Sequence, residues 1–379
     1  MRIAIPTETF PGELRVAVVP DSVKRLSGKK LDVSVQAGAG AGSHMPDADY
    51  VSSGATIEGT PEALFGSADA VVKIRVPTLD EIAKLKDGSL FVSLLYPLVN
   101  TELVRALAAK KITAIATDMI PRTTVAQMMD VLSSQATAAG YQAVLMAAAA
   151  LPKFFPMLMT AAGTIAPARV LILGAGVAGL QAVGTARRLG AVVEVFDVRK
   201  VVKEQVESLG AKFVEVDQTE DAQTAGGYAK EVSEAYKQKQ TEAIARHIAK
   251  ADVCITTALI PGKRAPILVT KEMVSSMKAG SVIVDLAAEQ QGNCELTEPG
   301  KVVEKHGVTI IGEVNFPSRL AMHASQMFSR NMEKLLLHVS KDGVLHIDLN
   351  EEIMAGCVIT HGGEIVHAGT KAAKESANA

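Results

Sequence analysis

The 379-residue sequence is poor in three things, and each absence excludes something. Its three cysteines, Cys254, Cys294 and Cys357, are far apart, with no C-x-x-C pair and no Cys/His spacing. That pattern argues against a disulfide framework and against a metal site. Charge of one sign is also lacking: 39 Lys and Arg against 41 Asp and Glu leave a net charge of −2. There is then no electrostatic case for nucleic acid or an anionic membrane as a ligand. Long apolar runs are missing as well. A bilayer-crossing helix needs about 20 apolar residues in a row. YQAVLMAAAAL stops at Pro152-Lys153, and VLILGAGVAGLQAVGTA is punctuated by glycine, so no direct membrane span is expected. The opening MRIAIPTE has the pattern of a first strand and not of a signal peptide. With 48% hydrophobic and 21% charged residues, the composition is that of a soluble globular protein of two or three domains. Cores of that size need no staples.

What is present is alternation. Apolar, β-branched runs (RIAIP, LDVSVQAG, ADAVVKI, SLFVSLLYP, ITAIATDMI, then RVLILGAG, VVEVFDV, KFVEV, DVCITTAL, SVIVDLA, VTIIGE) are separated by helical stretches. This predicts an α/β protein with parallel sheets and helical crossovers. MKAGS and LKDGS fit helices ending at a glycine. The first five strands and the next six form two groups, joined by one long helix over residues 130–151. A second long helix, SRLAMHASQMFSRNMEKLLLHV, carries the chain back, and HGGE is a hairpin turn between two late strands. The expected fold is two Rossmann-like doubly wound parallel-sheet domains with a cleft between them. The first, residues 1–126 plus 322–379, is discontinuous; the second, 127–321, is inserted into it. The tail TKAAKESANA is expected to fray.

The sharpest motif is RVLILGAGVAGLQAVGTARRLGAVVEVFDVR. A strand runs into Gly174-Ala175-Gly176-Val177-Ala178-Gly179, and a helix follows. Gly174 permits the tight turn, Gly176 lets a pyrophosphate approach the backbone, and Gly179 permits close helix–strand packing. Phosphates would meet the free N–H groups and dipole of the helix N-terminus. A second strand ends in Asp197, at about the 20-residue offset of a ribose-binding carboxylate. That favours NAD(H) over NADP(H). Arg199 and Lys200 beside it leave two readings open: basic groups able to accept a 2′-phosphate, or solvated charge. The bland alternative for the whole motif is a glycine turn in an α/β domain that binds nothing. Thr257, Ala258 and Leu259, in ITTALIPGKRAP, fall at the end of another parallel strand, where open α/β sheets bind ligands.

Dehydrogenases acting on alcohols or amino acids move a proton as well as a hydride, and need an acid–base side chain near the reacting carbon. Arg15 in PGELRVAVVP and Lys73 in ADAVVKIRVP, with the inserted nucleotide domain, resemble alanine dehydrogenase. That family carries a histidine in the stretch corresponding to SLLYPLVN, and here only Tyr96 stands nearby. Hydride transfer between two nicotinamides moves no proton and needs only positioning and exclusion of water.

The stretches RTTVAQMMDVLSSQ, FPMLMTAAGTIAPARVLILGAGVAGLQA, FDVRKVVKEQVESLGAKF, TAGGYAKE, ITTALIPGKRAP and VIVDLAAEQQGNCELTEPG are closer to another family. They resemble the NAD(H)-binding component (domain I, the alpha-1 subunit) of Re/Si-specific, proton-translocating NAD(P) transhydrogenase. The resemblance implies hydride exchange between NAD(H) here and NADP(H) on a partner subunit, coupled to proton movement through a membrane-spanning subunit. It also implies a homodimer held by protein contacts at the cytoplasmic face of a bacterial inner membrane. By the match, Arg122, Gln127 and Asp130, with Ser133 just beyond, close on the nicotinamide end of NAD(H). Asp130 as a helix cap and Arg122 as a surface charge are the plain alternatives. The match also makes the segment with Gly227 and Tyr228 a mobile loop, the tyrosine packing on nucleotide. It leaves Val198 and Arg199 beside the ribose and Glu289 with a structural part. Two other functions remain open: an alanine-type dehydrogenase using Arg15 and Lys73, and a non-enzymatic NAD-binding scaffold.

Overall fold

The structure, a computed structural model, describes residues 1–216, 233–259 and 264–377. The chain divides into two compact units, Met1–Gln135 with Ser318–Ala379, and Ala136–Pro317. The first boundary falls inside the 20-residue helix Val131–Ala150, and the second just before the 18-residue helix Ala321–His338.

The first unit is built on an eight-stranded sheet. Its order is Glu364–Ile365, Val358–His361, Thr113–Ala116, Leu90–Ser93, Ala70–Val72, Arg2–Ile5, Asp32–Gln36, Thr56–Glu58. The six strands from the N-terminal segment are parallel and the two from the C-terminal segment antiparallel. Side chains alternate between two cores: Ile3, Ile5, Val33, Val35, Val72 and Val92 on one face, Ala4, Val71, Phe91 and Ala114 on the other. Both faces are covered, which is why these strands are continuous apolar runs in the sequence.

Where the strand order reverses, between Arg2–Ile5 and Ala70–Val72, ion pairs fill the carboxyl ends. Glu13, its side chain fully buried, accepts hydrogen bonds from Arg15 Nε at 2.7 Å, Arg15 Nη2 at 2.6 Å and Arg75 Nε at 2.9 Å. Arg15 Nη1 donates to Gln135 Oε1 at 2.7 Å, and Lys73 Nζ to Glu81 Oε1 at 2.5 Å. Burial pushes the Glu13 carboxyl up, but the Arg15 hydrogen bonds and the two guanidinium charges outweigh it and hold the pKa at about 2. Glu8 goes the other way. Burial raises it to about 7, against the Lys73 charge and the N–H groups of Ile74 and Arg75.

The second unit has a seven-stranded sheet in the order Lys212–Phe213, Val192–Phe196, Arg169–Leu173, Val253–Thr256, Val282–Asp285, Val308–Ile311, Val302–Lys305. All but the last strand are parallel. Val170, Ile172, Val193, Val195, Ile255 and Val284 face one core; Leu171, Leu173, Phe196, Cys254 and Ile283 face the other. Both units therefore share the doubly wound plan, with strands running outward in two directions from a central switch point. Ala143, Val144 and Ala147 of the long helix are buried in the first of these cores. Gly140 is what lets that helix come close. A Cβ there would lie 2.1 Å from the carbonyl oxygen of Ala178.

Several elements differ from the sequence expectation. Edge strands Thr56–Glu58 and Val302–Lys305 and the hairpin Leu158–Thr160/Gly163–Ile165 were not foreseen, because each is too short or too polar to stand out as an apolar run. The helices before LKDGS and MKAGS stop at Lys84 and Ser276, where Leu85 and Met277 are already extended. Gly88 and Gly280, with φ +76 and +81, are third residues of separate turns closed by Ser89 N–H to Lys86 O and Ser281 N–H to Lys278 O. That position of a type II turn requires positive φ. HGGE is a hairpin turn, with Gly362 and Gly363 both at positive φ. The tail is helical over Ala368–Ala377 and not frayed, its Lys/Ala/Glu content favouring a helix. The helix Glu234–Ile248 is not solvated all round: Tyr236, Ala243, Ile244 and Ile248 bury one face.

This packing can be tested by its effect on stability. Glu13→Gln leaves two buried guanidinium groups short of a counter-charge, and should lower the stability of the first unit at pH 7 by about 3 kcal/mol. Because the Glu13 pKa falls on folding, to about 2, its contribution is complete above the unfolded value near 4.5 and is lost as pH drops through 2. Urea midpoints of parent and variant should thus converge between pH 5 and 2, and a gap independent of pH would refute the ion-pair account. Gly140→Ala should destabilise the second unit by about 1–3 kcal/mol, read as a lower calorimetric midpoint of that unit. An unmoved midpoint would show that the helix has room to spare.

Candidate functional site

The switch point of the second unit lies between Arg169–Leu173 and Val253–Thr256, and the glycine motif leaves the first of these strands. Gly174 sits at φ +107, its N–H bonded to Phe196 O at 2.8 Å, and a Cβ on it would meet Thr257 Oγ1 at 2.3 Å. Gly179 is in the first turn of the helix Val177–Arg188, where a Cβ would fall 1.9 Å from Gly174 O. Gly176 is different: no atom lies within 4 Å of the Cβ position, so its backbone faces open space at the helix N-terminus. That is the arrangement an anionic ligand approaching bare N–H groups needs. Ala175 is buried and Val177 half-exposed beside it.

Asp197 follows the neighbouring strand Val192–Phe196 and is 8% exposed. Its Oδ2 accepts the Ala175 N–H at 2.7 Å, fastening the strand end to the glycine turn. Arg199 is folded onto the same carboxylate, Nε to Oδ1 at 2.9 Å and Nη2 to Oδ2 at 2.8 Å. Val198 is half-buried between them. Thr257 Oγ1 lies 3.2 Å from both Leu173 O and Gly174 O and donates to that pair. Ala258 is held on both sides of its peptide by one side chain: its N–H donates to Asn293 Oδ1 at 3.0 Å, and its O accepts from Asn293 Nδ2 at 2.9 Å. Leu259 is 42% exposed. The structure thus brings Gly174, Ala175, Gly176, Val177, Gly179, Asp197, Val198, Arg199, Thr257, Ala258 and Leu259 to one switch point. Gly227 and Tyr228 lie outside the described residues, as do residues 260–263. Glu289 is exposed on the short turn Ala288–Gln290.

Sequence reasoning missed two residues here. Asn293, with no exposed surface, pins Ala258, and Asp285 organises the loop that carries Asn293. The Asp285 carboxylate accepts from Thr256 Oγ1 at 2.9 Å, Ala287 N at 3.0 Å, Cys294 N at 3.0 Å and Thr297 Oγ1 at 2.7 Å. Asp285 ends an apolar strand, which was a signal of its kind; Asn293 had none.

In the first unit, the loop 121–130 is anchored by buried Ala126 and Met129 and by Asn331 Nδ2 donating to Met128 O at 2.8 Å. Asp130 caps the helix Val131–Ala150. It accepts from Ser133 N at 2.9 Å and Ser133 Oγ at 2.6 Å. Arg122 Nε is 3.9 Å from Asp130 Oδ2, so the cap also holds the arginine. Gln127, between them in sequence, is exposed. Arg15 and Lys73 are both buried and engaged by Glu13 and Glu81. Tyr96 takes φ +45, its N–H on Asp118 Oδ2 at 3.1 Å.

Comparison with known proteins adds to this geometry. Residues 4–139 match a family model described as alanine dehydrogenase/PNT, N-terminal domain, and residues 143–368 match its C-terminal domain. The chain is 51% identical over 376 residues to an NAD(P) transhydrogenase subunit alpha of Rhodospirillum rubrum, covering 97% of this chain and 98% of that one. An alanine dehydrogenase of Halomonas elongata is 29% identical, with 97% and 95% covered. The crystal structure of a transhydrogenase from Sinorhizobium meliloti superposes with a TM-score of 0.85 at 44% identity, covering 97% and 99% of the two chains. This chain belongs to the alanine dehydrogenase/PNT family, among its NAD(P) transhydrogenase alpha subunits.

Proposed function

We propose that this chain is the NAD(H)-binding subunit of a proton-translocating NAD(P) transhydrogenase. It exchanges hydride directly with NADP(H) on a partner subunit, and a membrane-spanning partner couples the exchange to proton translocation. The observation that carries this reading is the bare backbone turn from Gly174 to Gly176 beside Asp197 and Thr257, in a chain 51% identical along its length to a transhydrogenase alpha subunit. Bound NAD(H) supplies or accepts the hydride at its nicotinamide, and no separate proton moves. The chain's part is to bind and orient. Gly176, Ala175 and Val177 offer N–H groups to the pyrophosphate; Asp197, with Val198 and Arg199 in its turn, receives the adenosine ribose; Thr257, Ala258 and Leu259 serve the nicotinamide end. By the resemblance, Arg122, Gln127, Asp130 and Ser133 also act there, and Gly227 and Tyr228 pack on the nucleotide. The alanine-type alternative asks Arg15 and Lys73 to take a keto acid, which would have to displace Glu13 and Glu81 from both.

Exposed apolar side chains favour protein partners. Val125 and Met128, 71% and 57% exposed, flank Gln127 and give the NADP(H)-binding partner an apolar surface. Phe154, Met157, Met159 and Ile165 are exposed in and around the hairpin 158–165, and suit a second copy of the chain as a homodimer. Among the described residues no helix is long and apolar enough to cross a membrane. Residence at the cytoplasmic face of a bacterial inner membrane would then come from the partner subunits.

The chain, mixed with an NADP(H)-binding transhydrogenase subunit, should reduce an NAD analogue at the expense of NADPH. Gln127→Ala should lower that rate by about 10- to 1000-fold with little change in NADH affinity, since an orienting contact counts mainly in the transition state. An unchanged rate would return Gln127 to a surface role, while NADH oxidation by the chain alone with pyruvate and ammonia would favour the alanine-type reading. For the dimer, Met159→Asp should convert the parent's sedimenting species to monomer. A parent that sediments as monomer at micromolar concentration removes the homodimer.

A further inference from the structure

Arg199 was open to two readings in the sequence, and the solvated one does not hold. Its side chain is only 14% exposed and lies as a fork across Asp197. Four donors converge on that carboxylate: Ala175 N at 2.7 Å, Arg199 N at 2.8 Å, Arg199 Nε at 2.9 Å and Arg199 Nη2 at 2.8 Å. A carboxylate offers about four lone-pair positions, so these donors fill it. Two of them, the parallel N–H groups of the guanidinium, occupy one oxygen each, as the two neighbouring hydroxyls of a ribose would. The fork also suits a phosphate, which takes the same bidentate geometry.

We propose that Arg199 is a latent 2′-phosphate-binding group, and that its pairing with Asp197 is what makes this subsite specific for an unphosphorylated adenosine ribose. The inference rests on the reading of the glycine turn as a dinucleotide site. A ribose diol donates hydrogen bonds, so it can replace the guanidinium on Asp197 without leaving the carboxylate unpaired. A 2′-phosphate donates none at neutral pH. It leaves Asp197 facing a second anion, and one guanidinium cannot give its fork to both. The buried carboxylate keeps it, because an unpaired charge at 5% side-chain exposure is costly. With the Asp197 charge removed, the same guanidinium is released toward the ribose 2′ position. Lys200, exposed at the next position, adds positive potential there without the fork's geometry.

The test uses the full-length chain, with AMP and adenosine 2′,5′-bisphosphate competing against NADH fluorescence. The parent should prefer AMP. Asp197→Asn should gain at least tenfold in affinity for the bisphosphate relative to AMP, and Asp197→Asn/Arg199→Ala should lose that gain. Arg199→Ala alone keeps the carboxylate and its bond to the Ala175 N–H. It should bind the bisphosphate no better than the parent does. No relative gain in Asp197→Asn, a gain that survives in the double variant, or improved bisphosphate binding by Arg199→Ala overturns the proposal. A parent that binds no NADH removes the dinucleotide reading itself, and the inference with it; a parent that binds NADH while the variants fail these expectations removes the inference alone.

Discussion

Everything about the second unit's switch point depends on one close approach that side chains would forbid. Gly174 turns at φ +107 under Thr257 Oγ1, and its carbonyl oxygen lies where a Cβ on Gly179 would be 1.9 Å away. With both Cβ atoms absent, the helix Val177–Arg188 starts directly over the strand end, and Thr257 can donate to Leu173 O and Gly174 O. The same turn directs the Ala175 N–H onto Asp197. Tight packing on one side of the motif is matched by openness on the other, at Gly176. Glycine is used for two opposite reasons within six residues, closeness at 174 and 179 and vacancy at 176.

The two units share a doubly wound plan and fill the switch point differently. In the first, Glu8, Glu13 and Glu81 are set against Arg15, Lys73 and Arg75, and Glu13 alone takes hydrogen bonds from two arginines. A site so occupied is held together by its charges and presents little unsatisfied chemistry to a small anion. In the second, the charges are one carboxylate and one guanidinium, set back from an open backbone turn. The common plan therefore says where a ligand can bind, and the filling decides whether it does.

How much of this was legible in the sequence follows from what each element depends on. Strands buried on both faces write themselves as apolar runs, so ADAVVKI, DVCITTAL and SVIVDLA were readable without any alternation. Edge strands such as Val302–Lys305 are held mainly by their neighbours and carry no such run. Gly174, Gly176, Gly179 and Asp197 could be read because their spacing is fixed by a local strand–turn–helix. Gly140 and Asn293 could not: the atoms that give them meaning, Ala178 O and the Ala258 peptide, are 38 and 35 residues away in the chain. Likewise the pairing of Arg199 with Asp197 is a matter of rotamer, which no pattern of residue types records.

Asp130 shows why a bland role and a functional one need not compete. As a cap it spends its oxygens on Ser133 N and Oγ, which fixes the carboxylate at the start of the helix Val131–Ala150. A carboxylate fixed in that way is a better anchor for Arg122, 3.9 Å away, than one free to rotate. Ala126, Met129 and the Asn331 bond to Met128 O fasten the rest of the loop, so Gln127 is displayed from a held backbone. For the hydride exchange proposed for this chain, in which no acid or base has to act, placement is the main contribution a side chain can make. A loop whose capping, packing and backbone hydrogen bonds are settled before any ligand arrives loses less freedom on binding, and more of its contact energy is left to orient the reacting rings.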